Sequence, residues 1–390
     1  IADSFDIELD IDDIKEKLQN NDFAAAVAKI QSYLKKQNEI ALNIGVAGEC
    51  GSGKSTFVNA IRGLANSAEG AAPTNCVETT MEVKFYPHPN YPNIIFWDLP
   101  GDGTTKFPAH KYLKHVGFER FDFFIIISAD RFRENDVKLA LEIKRMQKKF
   151  YFVRSKIDHN LRDEEDDQRI RENCCHSKYL KQQGFESPQV FLVSSFELQK
   201  HDFSLLYETL EKELPEHKRH ALLLAMPNIN LEIIEKKKEA FQANIKYVSM
   251  LSGGAAAVPV PGLSTTVDVA LMVCHVTRYV FGFGLDLASL KRLSNTSDVP
   301  LEALLDVIIS PLAAKEITVD LVMKLLSQTA STVVCMAAEE LSRFIPFLGI
   351  PLSMSFSVAT TYRGLKMFLN MLADDAQRVF KKSLGLNPSV

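Results

Sequence analysis

The sequence predicts an α/β domain, built on a mostly parallel, doubly wound sheet covered by helices, joined to an all-α domain. Two observations predict it. Between residues 41 and 214, five short apolar runs alternate with amphipathic stretches, which is typical of parallel strands connected by helices. After Pro215 the strand-like runs stop, and helical spacing of apolar residues continues to Val390. With 390 residues, 46% of them hydrophobic, the chain can bury about two such cores.

The elements follow in order along the chain. Apolar residues at helical spacing between Asp10 and Gln37 predict two short helices before the first strand. The predicted strands are ALNIGVAG, NIIFWDLP, FDFFIIISA, KFYFVRS and QVFLVSS. We therefore predict N-terminal helices over 1–40, the α/β domain over 41–214 and C-terminal helices over 215–390.

Composition excludes several classes of function. Lys and Arg (45) nearly balance Asp and Glu (49), for a formal charge of −4, so no basic field favours nucleic acid as a partner. Six cysteines without zinc-type spacing fit a reducing, cytosolic compartment. The acidic start IADSFDIELD does not resemble a signal peptide. Because it has no initiator Met, we expect the true N-terminus, with any lipid signal on it, to precede residue 1.

Two C-terminal stretches, residues 247–267 and 344–362, are almost as long and apolar as a membrane span. Both contain Pro and Gly, which argues against a continuous spanning helix. A core helix or helical hairpin is the favoured interpretation. A membrane-contacting or re-entrant segment is the alternative.

The octet GECGSGKS, residues 48–55, matches the phosphate-binding pattern G-x-x-x-x-G-K-[ST] between a predicted strand and a predicted helix. Glycines allow backbone N–H groups to turn toward phosphate oxygens, and the helix N-terminus favours their negative charge. Lys54 is expected to reach the β and γ phosphates, and the Ser55 hydroxyl to ligate Mg²⁺. The nucleotide-binding residues predicted around them are Glu49, Gly51, Ser52, Gly53 and Thr56.

The base is indicated by SKID, residues 155–158, which follows a predicted strand where Ras-like GTPases carry [NT]KxD. The Asp158 carboxylate can accept two hydrogen bonds from guanine, and adenine offers no such pair of donors. The stem of Lys156 would pack over the base. After QVFLV, Ser194 and Ser195 occupy the place of a short loop that touches the guanine edge, which is a weaker signal.

Between these motifs, DLPG ends the strand NIIFW and fits the pattern D-x-x-G. Asp98 would hold Mg²⁺, commonly through water, and the Gly101 N–H would sense the γ phosphate. Switching between nucleotide states also requires a threonine between the octet and DLPG. This threonine ligates Mg²⁺ only when the γ phosphate is present. The segment PTNCVETTMEV offers Thr74, Thr79 and Thr80, of which the last two are closest to the following strand and stay unranked.

With these motifs the chain resembles the immunity-related GTPases, an interferon-inducible family also called p47 GTPases. The resemblance spans nearly the whole chain and includes GAAPTNCVETTME, FWDLPGDGTTKFP, FDFFIIISADRF, FYFVRSKID and LPEHKRH. Lys54 places the chain with the GKS effector members. The resemblance implies a Ras-like domain, a helical domain built from N- and C-terminal segments, and GTP-dependent oligomerisation. It also implies a cytoplasmic protein that is recruited to pathogen-containing vacuoles, other intracellular membranes or microbial membranes, and that disrupts the vacuole or microbial membranes.

The predicted mechanism departs from that of Ras. Ras-like enzymes position the attacking water with a Gln after the D-x-x-G glycine, and here that position is Asp102. Slow intrinsic hydrolysis is therefore expected. The resemblance implies that two GTP-bound domains pair face to face and that Glu78, with Thr74 in the same loop, contacts the partner's nucleotide. Glu49 lies inside the phosphate loop and must point to solvent or to a partner. Beside it, Cys50 departs from the Thr of several relatives.

The favoured hypothesis is a GTPase that cycles between GTP and GDP with Mg²⁺ and acts as a dimer or oligomer on membranes, with other immunity-related GTPases as partners. Its catalytic residues would be Lys54, Ser55, Glu78 and Thr80, and its metal ligands Ser55, Thr80 and Asp98. A non-hydrolysing scaffold gated by GTP or GDP is the alternative, favoured by Asp102. An ATP-using enzyme ranks third because SKID selects against adenine.

Overall fold

The predicted nucleotide-binding motifs all follow strands of one sheet in the α/β unit. In this computed structural model, residues 13–14, 16–17, 20, 22–74, 83–99, 113–114, 116–130, 132–159, 185, 189–256, 263–328 and 352–387 are described. Within them the sheet has six strands in the order β2-β3-β1-β4-β5-β6, with only β2 antiparallel to its neighbour. The strands are β1 (Leu42–Ala47), β2 (Lys84–Pro87), β3 (Ile94–Asp98), β4 (Phe123–Ser128), β5 (Lys149–Arg154) and β6 (Val190–Leu192).

The central strands are apolar because helices cover both faces of the sheet. All six residues of β4 are buried, and in β1 only Asn43 is partly exposed. The longer helices in the described part of this unit are α2 (Lys54–Ile61), α3 (Glu134–Arg145), α4 (Phe203–Glu213) and α5 (Glu216–Ala225), and α1 (Phe23–Asn38) precedes the sheet in the chain. α2 packs into the core through Phe57 and Val58, which are fully buried. The parallel order and P-loop connection are those of the predicted Ras-like fold.

All five predicted strands are present, and β2 was not predicted. It is four residues long, ends at Pro87 and exposes Lys84 and Phe85, so it lacks the apolar alternation of a longer strand. It forms hydrogen bonds only because β3 lies beside it, in a register that pairs Lys84 with Asp98. This contact comes from the fold and leaves little trace in the local sequence.

The chain divides into two units, residues 40–230 and residues 1–39 with 231–390. The prediction placed the second boundary after Leu214, earlier than this division. The reason is α5, which looks like the first helix of the C-terminal series but packs on β1 and β3. Lys218 of α5 forms an ion pair with Asp122, and Asp122 also accepts a hydrogen bond from the Asn43 N–H.

The helical unit combines both ends of the chain. Its helices are α1 (Phe23–Asn38), α6 (Leu231–Ala256), α7 (Leu263–Gly282), α8 (Leu287–Ser297), α9 (Leu301–Leu305) and α10 (Leu352–Ser383), and residues 319–328 are also helical. α6 packs against α1, α7 and α10. Ala26 and Ile30 are buried in the contact with α6, where the rings of Tyr33 and Tyr247 meet edge to face at 5.3 Å.

One described helical segment, Asp268–Ser297, is long and apolar enough to cross a membrane, by length and composition only. It begins within α7 and contains the rest of that helix, the turn after it and α8, and Val276 and Tyr279 are buried inside the helical unit. A buried core helix has the same composition. Of the two apolar stretches predicted from the sequence, residues 247–256, 263–267 and 352–362 are helical, and residues 257–262 and 344–351 lie outside the described part.

Candidate functional site

The phosphate loop runs from β1 to α2 and depends on three glycines. Gly48 has φ +141°, and a Cβ built there would lie 2.1 Å from the Ile127 carbonyl oxygen, so a side chain cannot fit. Gly51 and Gly53 have φ +77° and +93°, in the left-handed region that glycine tolerates best. Gly53 is also the N-cap of α2 and makes no side-chain cap hydrogen bond. The first N–H groups of α2 can therefore bind an anion.

Lys54 lies inside this loop. Its Nζ donates to the Gly48 carbonyl oxygen at 2.7 Å and to the Glu49 carbonyl oxygen at 2.9 Å. An ammonium group has three N–H bonds, so one remains for a phosphate oxygen. Ser52 adds a second potential donor, since its Oγ is buried without a hydrogen-bond partner among the described residues.

The predicted metal ligands meet at the end of β3. The Ser55 hydroxyl donates to Asp98 Oδ2 at 3.1 Å. Burial raises the pKa of Asp98, and the nearby Lys54 and the hydrogen bond from Ser55 act in the opposite direction. A bound divalent cation would also hold this carboxyl ionised.

These residues fit Mg²⁺. Mg²⁺ binds oxygen ligands, among them carboxylates, phosphates and water. The Ser55 hydroxyl and the Asp98 carboxylate offer two oxygens, 3.1 Å apart. The described residues hold no group of three or more His, Cys, Asp or Glu that could bind a metal alone.

The base-recognition loop follows β5 and is tied to the phosphate loop. Ser155 is 1% exposed, and its hydroxyl donates to the Ser52 carbonyl oxygen at 2.5 Å. Lys156 is exposed with φ +57°, and its Cε lies 3.7 Å from where a Gly53 Cβ would be. Asp158 is half-buried, with its Oδ1 shielded from solvent. The structure thus brings SKID beside GECGSGKS, as base and phosphates of one nucleotide require.

Ser155 is a positioning residue that the sequence reasoning did not assign. It was noted only as the first letter of SKID. The available signal was that Ras-like GTPases carry Asn or Thr there, so a side-chain hydrogen-bonding group recurs at this position.

The loop after β6 is held by hydrogen bonds within the loop. Ser194 is fully buried, and its Oγ accepts hydrogen bonds from the N–H groups of Phe196 and Glu197, both at 3.3 Å. The Ser194 side chain therefore shapes the turn, and Ser195, partly exposed, is the residue of the pair that faces outward. Contact with the guanine edge by Ser194 and Ser195 stays a prediction.

Glu49 points to a basic side chain of its own chain. Its Oε2 lies 2.8 Å from the guanidinium of Arg133, the residue that precedes α3. The sequence reasoning offered solvent or a partner molecule and did not consider Arg133. Cys50, next in the loop, is an exposed free thiol.

The remaining predicted residues lie around or beyond the described loop. Thr56 is half-buried in the first turn of α2, and Thr74 is exposed. The predicted switch and catalytic residues Glu78, Thr79, Thr80, Gly101 and Asp102 lie outside the described residues.

The fold and the site define a P-loop protein that binds guanine nucleotide. The sequence profile of the Interferon-inducible GTPase (IIGP) family matches residues 7–383, and the chain belongs to this family of GTPases. It is 38% identical over 386 residues to Interferon-inducible GTPase 5 of Rattus norvegicus, covering 96% of this chain and 82% of that protein. It is 34% identical over 391 residues to Interferon-gamma-inducible GTPase 10 of Mus musculus, covering 97% and 90%.

A solved structure of Era in complex with MgGDPNP and 16S ribosomal RNA nucleotides is also similar. Its TM-score is 0.32, at 22% identity over 45% of this chain and 57% of that one. Family membership rests on the profile and on the two relatives, and it confirms the resemblance drawn from the motifs.

Proposed function

We propose that this protein hydrolyses GTP to GDP with Mg²⁺, and that pairing of two GTP-bound α/β units activates the reaction. The observation that supports the proposal most directly is the Ser55–Asp98 pair, 3.1 Å apart, beside the loop that encloses Lys54. Both oxygens are of the kind that binds Mg²⁺ beside nucleotide phosphates. Their arrangement suits a triphosphate and its metal ion.

The chain's own residues would orient and stabilise the phosphates. The loop N–H groups and Lys54 offset negative charge that moves toward the β–γ bridging oxygen as the bond breaks. Ser55 and Asp98, with Thr80 or Thr79, would hold Mg²⁺, which supplies charge neutralisation at the β and γ phosphates. Asp158 and Lys156 would fix the guanine base, and the Ser155 hydrogen bond would keep the two loops in register.

Pairing is proposed because the Gln that positions the attacking water in Ras-like enzymes is replaced in this chain. Asp102 stands where Ras-like enzymes have Gln, and a carboxylate there adds negative charge near the γ phosphate. Glu78 and Thr74 would contact the nucleotide of the opposing molecule. Two facing sites exclude water and order their loops, a gain in positioning that a monomer lacks.

We further propose that the protein acts in interferon-induced, cell-autonomous immunity. It would be cytoplasmic and assemble on intracellular membranes around pathogens, together with other immunity-related GTPases, and disrupt those membranes. The family membership supports the setting, and the apolar stretches at residues 247–267 and 344–362 support membrane contact. An acyl chain on a preceding segment would strengthen a contact that one chain alone makes only marginally.

A nucleotide-gated scaffold is the second candidate function, and Asp102 is the observation that favours it. Such a protein would bind GTP and GDP, present its helical unit to partners and turn over negligibly.

Turnover per molecule as a function of protein concentration separates the two candidates. We expect specific activity to rise with concentration for the wild type and to stay flat for Glu78→Ala. Glu69→Ala is the matched control, because Glu69 is an exposed glutamate earlier in the same connection. It should follow the wild type.

The nucleotide affinity of each protein must be measured alongside. Tight GTP binding with negligible turnover at every concentration would establish the scaffold instead. Turnover that is high and independent of concentration would refute activation by pairing while leaving GTP hydrolysis intact.

A further inference from the structure

Three helices of the helical unit meet at one carboxyl group and three hydroxyl groups. Asp268 of α7 is contacted by Ser252 of α6 and Ser357 of α10, and Thr361 of α10 joins them. We call these four side chains the hydroxyl cluster. Ser252 and the two α10 residues come from the two apolar stretches singled out in the sequence, and Asp268 directly follows the first of them.

Four oxygen–oxygen contacts of hydrogen-bond length join the cluster. Ser252 Oγ lies 2.5 Å from Asp268 Oδ1, and Ser357 Oγ lies 2.6 Å from Asp268 Oδ2. Ser252 Oγ is also 2.7 Å from Ser357 Oγ and 2.8 Å from Thr361 Oγ1. Each contact this short needs one hydrogen between its two oxygens, because two lone pairs facing each other repel.

The hydroxyl groups cannot supply enough hydrogens. Each of the three hydroxyls carries one hydrogen, and an ionised carboxylate carries none. Three hydrogens for four contacts leave one pair of oxygens in repulsion. A protonated Asp268 supplies the fourth: the acid donates to Ser252, Ser252 to Ser357, and Ser357 back to the second carboxyl oxygen. Thr361 then donates to Ser252, and every contact is a hydrogen bond.

A metal cation does not account for these distances. Ligand oxygens at about 2.3–2.6 Å from one ion in an octahedral arrangement lie about 3.3–3.7 Å from each other. The four contacts, at 2.5–2.8 Å, are all shorter than that separation. A proton shared between oxygens fits the spacing.

The surroundings of Asp268 also favour the neutral acid. Burial raises its pKa, and the hydrogen bonds from Ser252 and Ser357 oppose the shift only in part. No charged group in the described part of α6, α7 or α10 contributes to this balance. His275, two turns further along α7, has its pKa lowered to about 4 by burial and so carries no charge above that pH.

On α6 and α10, the titratable groups closest in sequence to the cluster are Lys246 and Tyr247 of α6, and Tyr362, Arg363 and Lys366 of α10. Lys246 and Lys366 lie over the rings of Tyr247 and Tyr362. None of the five interacts electrostatically with Asp268.

We propose that the helical unit binds one proton at Asp268, and that this protonated carboxyl fastens α6, α7 and α10 together at the hydroxyl cluster. The stabilisation is fully present below the pKa that Asp has in the unfolded chain. It is lost as pH rises through the higher pKa of the folded state. Acid therefore tightens the packing of the two apolar stretches, and loss of the proton loosens it.

The first test is a carbon-13 titration of the aspartate carboxyl carbons in the full-length chain, with Asp268 assigned by its absence from Asp268→Asn. We expect an Asp268 pKa above the ordinary value of about 3.9. Repeating the titration with sodium and potassium replaced by choline should not move it. A pKa at or below the ordinary value, or one that depends on the cation, overturns the proposal.

The second test is hydrogen exchange of peptides from α6 and α10, read by mass spectrometry from about pH 4, near the ordinary pKa of Asp, up to about pH 8 and corrected for intrinsic exchange rates. In the wild type, protection near Ser252 and Thr361 should fall as pH rises. Asp268→Asn should stay protected throughout, because its amide supplies the missing donor at every pH. Asp374→Asn, an exposed aspartate of α10, should behave as the wild type. An equal fall in Asp268→Asn and wild type would refute the assignment.

Discussion

Replacing Ser155 with alanine should weaken nucleotide binding although Ser155 is not expected to touch the nucleotide. Its hydroxyl donates to the Ser52 carbonyl oxygen at 2.5 Å, a link between residues 103 apart in sequence, and the side chain is 1% exposed. Alanine leaves that carbonyl without this donor. The phosphate loop then loses its attachment to the loop that carries Lys156 and Asp158.

The size of the effect follows from burial. Leaving a buried acceptor unsatisfied costs about 1–3 kcal/mol. Bound nucleotide holds both loops in place, so most of that cost falls on the bound, ordered state. A loss of about 1–3 kcal/mol corresponds to roughly a 5- to 150-fold weaker affinity. GDP and GTP should be affected alike, since both need the loop and the base site.

The assay is the dissociation constant for GDP and for a non-hydrolysable GTP analogue, by fluorescence or calorimetry. Ser155→Thr is the matched control, because it keeps the hydroxyl donor and Ras-like GTPases accept Thr there. It should bind much more tightly than Ser155→Ala. The coupling would be refuted if Ser155→Ala bound GDP within about twofold of the wild type, a difference of less than about 0.5 kcal/mol.

Three further outcomes are expected. Lys54→Ala should weaken GTP binding roughly 10- to 150-fold, because the one charged hydrogen bond that Lys54 has left for a phosphate contributes about 1.5–3 kcal/mol; wild-type affinity would contradict the role of the octet. Asp158→Asn should exchange guanine for xanthine preference, measured by competition with XTP, since one acceptor becomes a donor; unchanged GTP affinity would contradict the SKID assignment. Burial lowers the pKa of Lys237 to about 7. Wild-type resistance to urea should therefore rise from about pH 7 to pH 10, and in Lys237→Met this rise should be absent.

The sign of the Lys237 effect follows from proton binding. Above the folded pKa the native lysine is neutral while the unfolded one stays protonated up to about pH 10.4. The unfolded state then binds more protons, so stability increases with pH. Equal pH dependence in wild type and variant would show that the group titrates elsewhere.

Much of the fold could be predicted because the local spacing of apolar residues indicates its strands and helices. β1 and β4 are buried on both faces and appear in the sequence as continuous apolar runs. The octet was equally readable, since the left-handed φ of Gly51 and Gly53 requires glycine whatever the rest of the chain does. In contrast, α5 has an ordinary helical pattern, and only its packing on β1 and β3 assigns it to the α/β unit.

Contacts between distant residues were beyond the sequence reasoning. Neither the Ser155–Ser52 hydrogen bond nor the Arg133–Glu49 ion pair has a local signature, because each joins loops that follow different strands. Parallel strands bring those loops together at one edge of the sheet. Sequence motifs predicted the groups that would face the nucleotide, and the topology supplied the groups that hold the loops to each other.

Glu49 shows how the topology resolves a conflict that the motif leaves open. A carboxylate inside a phosphate-binding loop should repel the ligand, yet this chain carries one beside Lys54. Arg133, placed at the start of α3 by the neighbouring strand β4, lies 2.8 Å from it and converts the single charge into an ion pair. Arg133 is 61% exposed, so solvent screens the pair and its contribution to folding is small. The ion pair matters more for nucleotide binding. With the charge of Glu49 offset by Arg133, the electrostatic field at the phosphates comes from Lys54 and the N-terminus of α2.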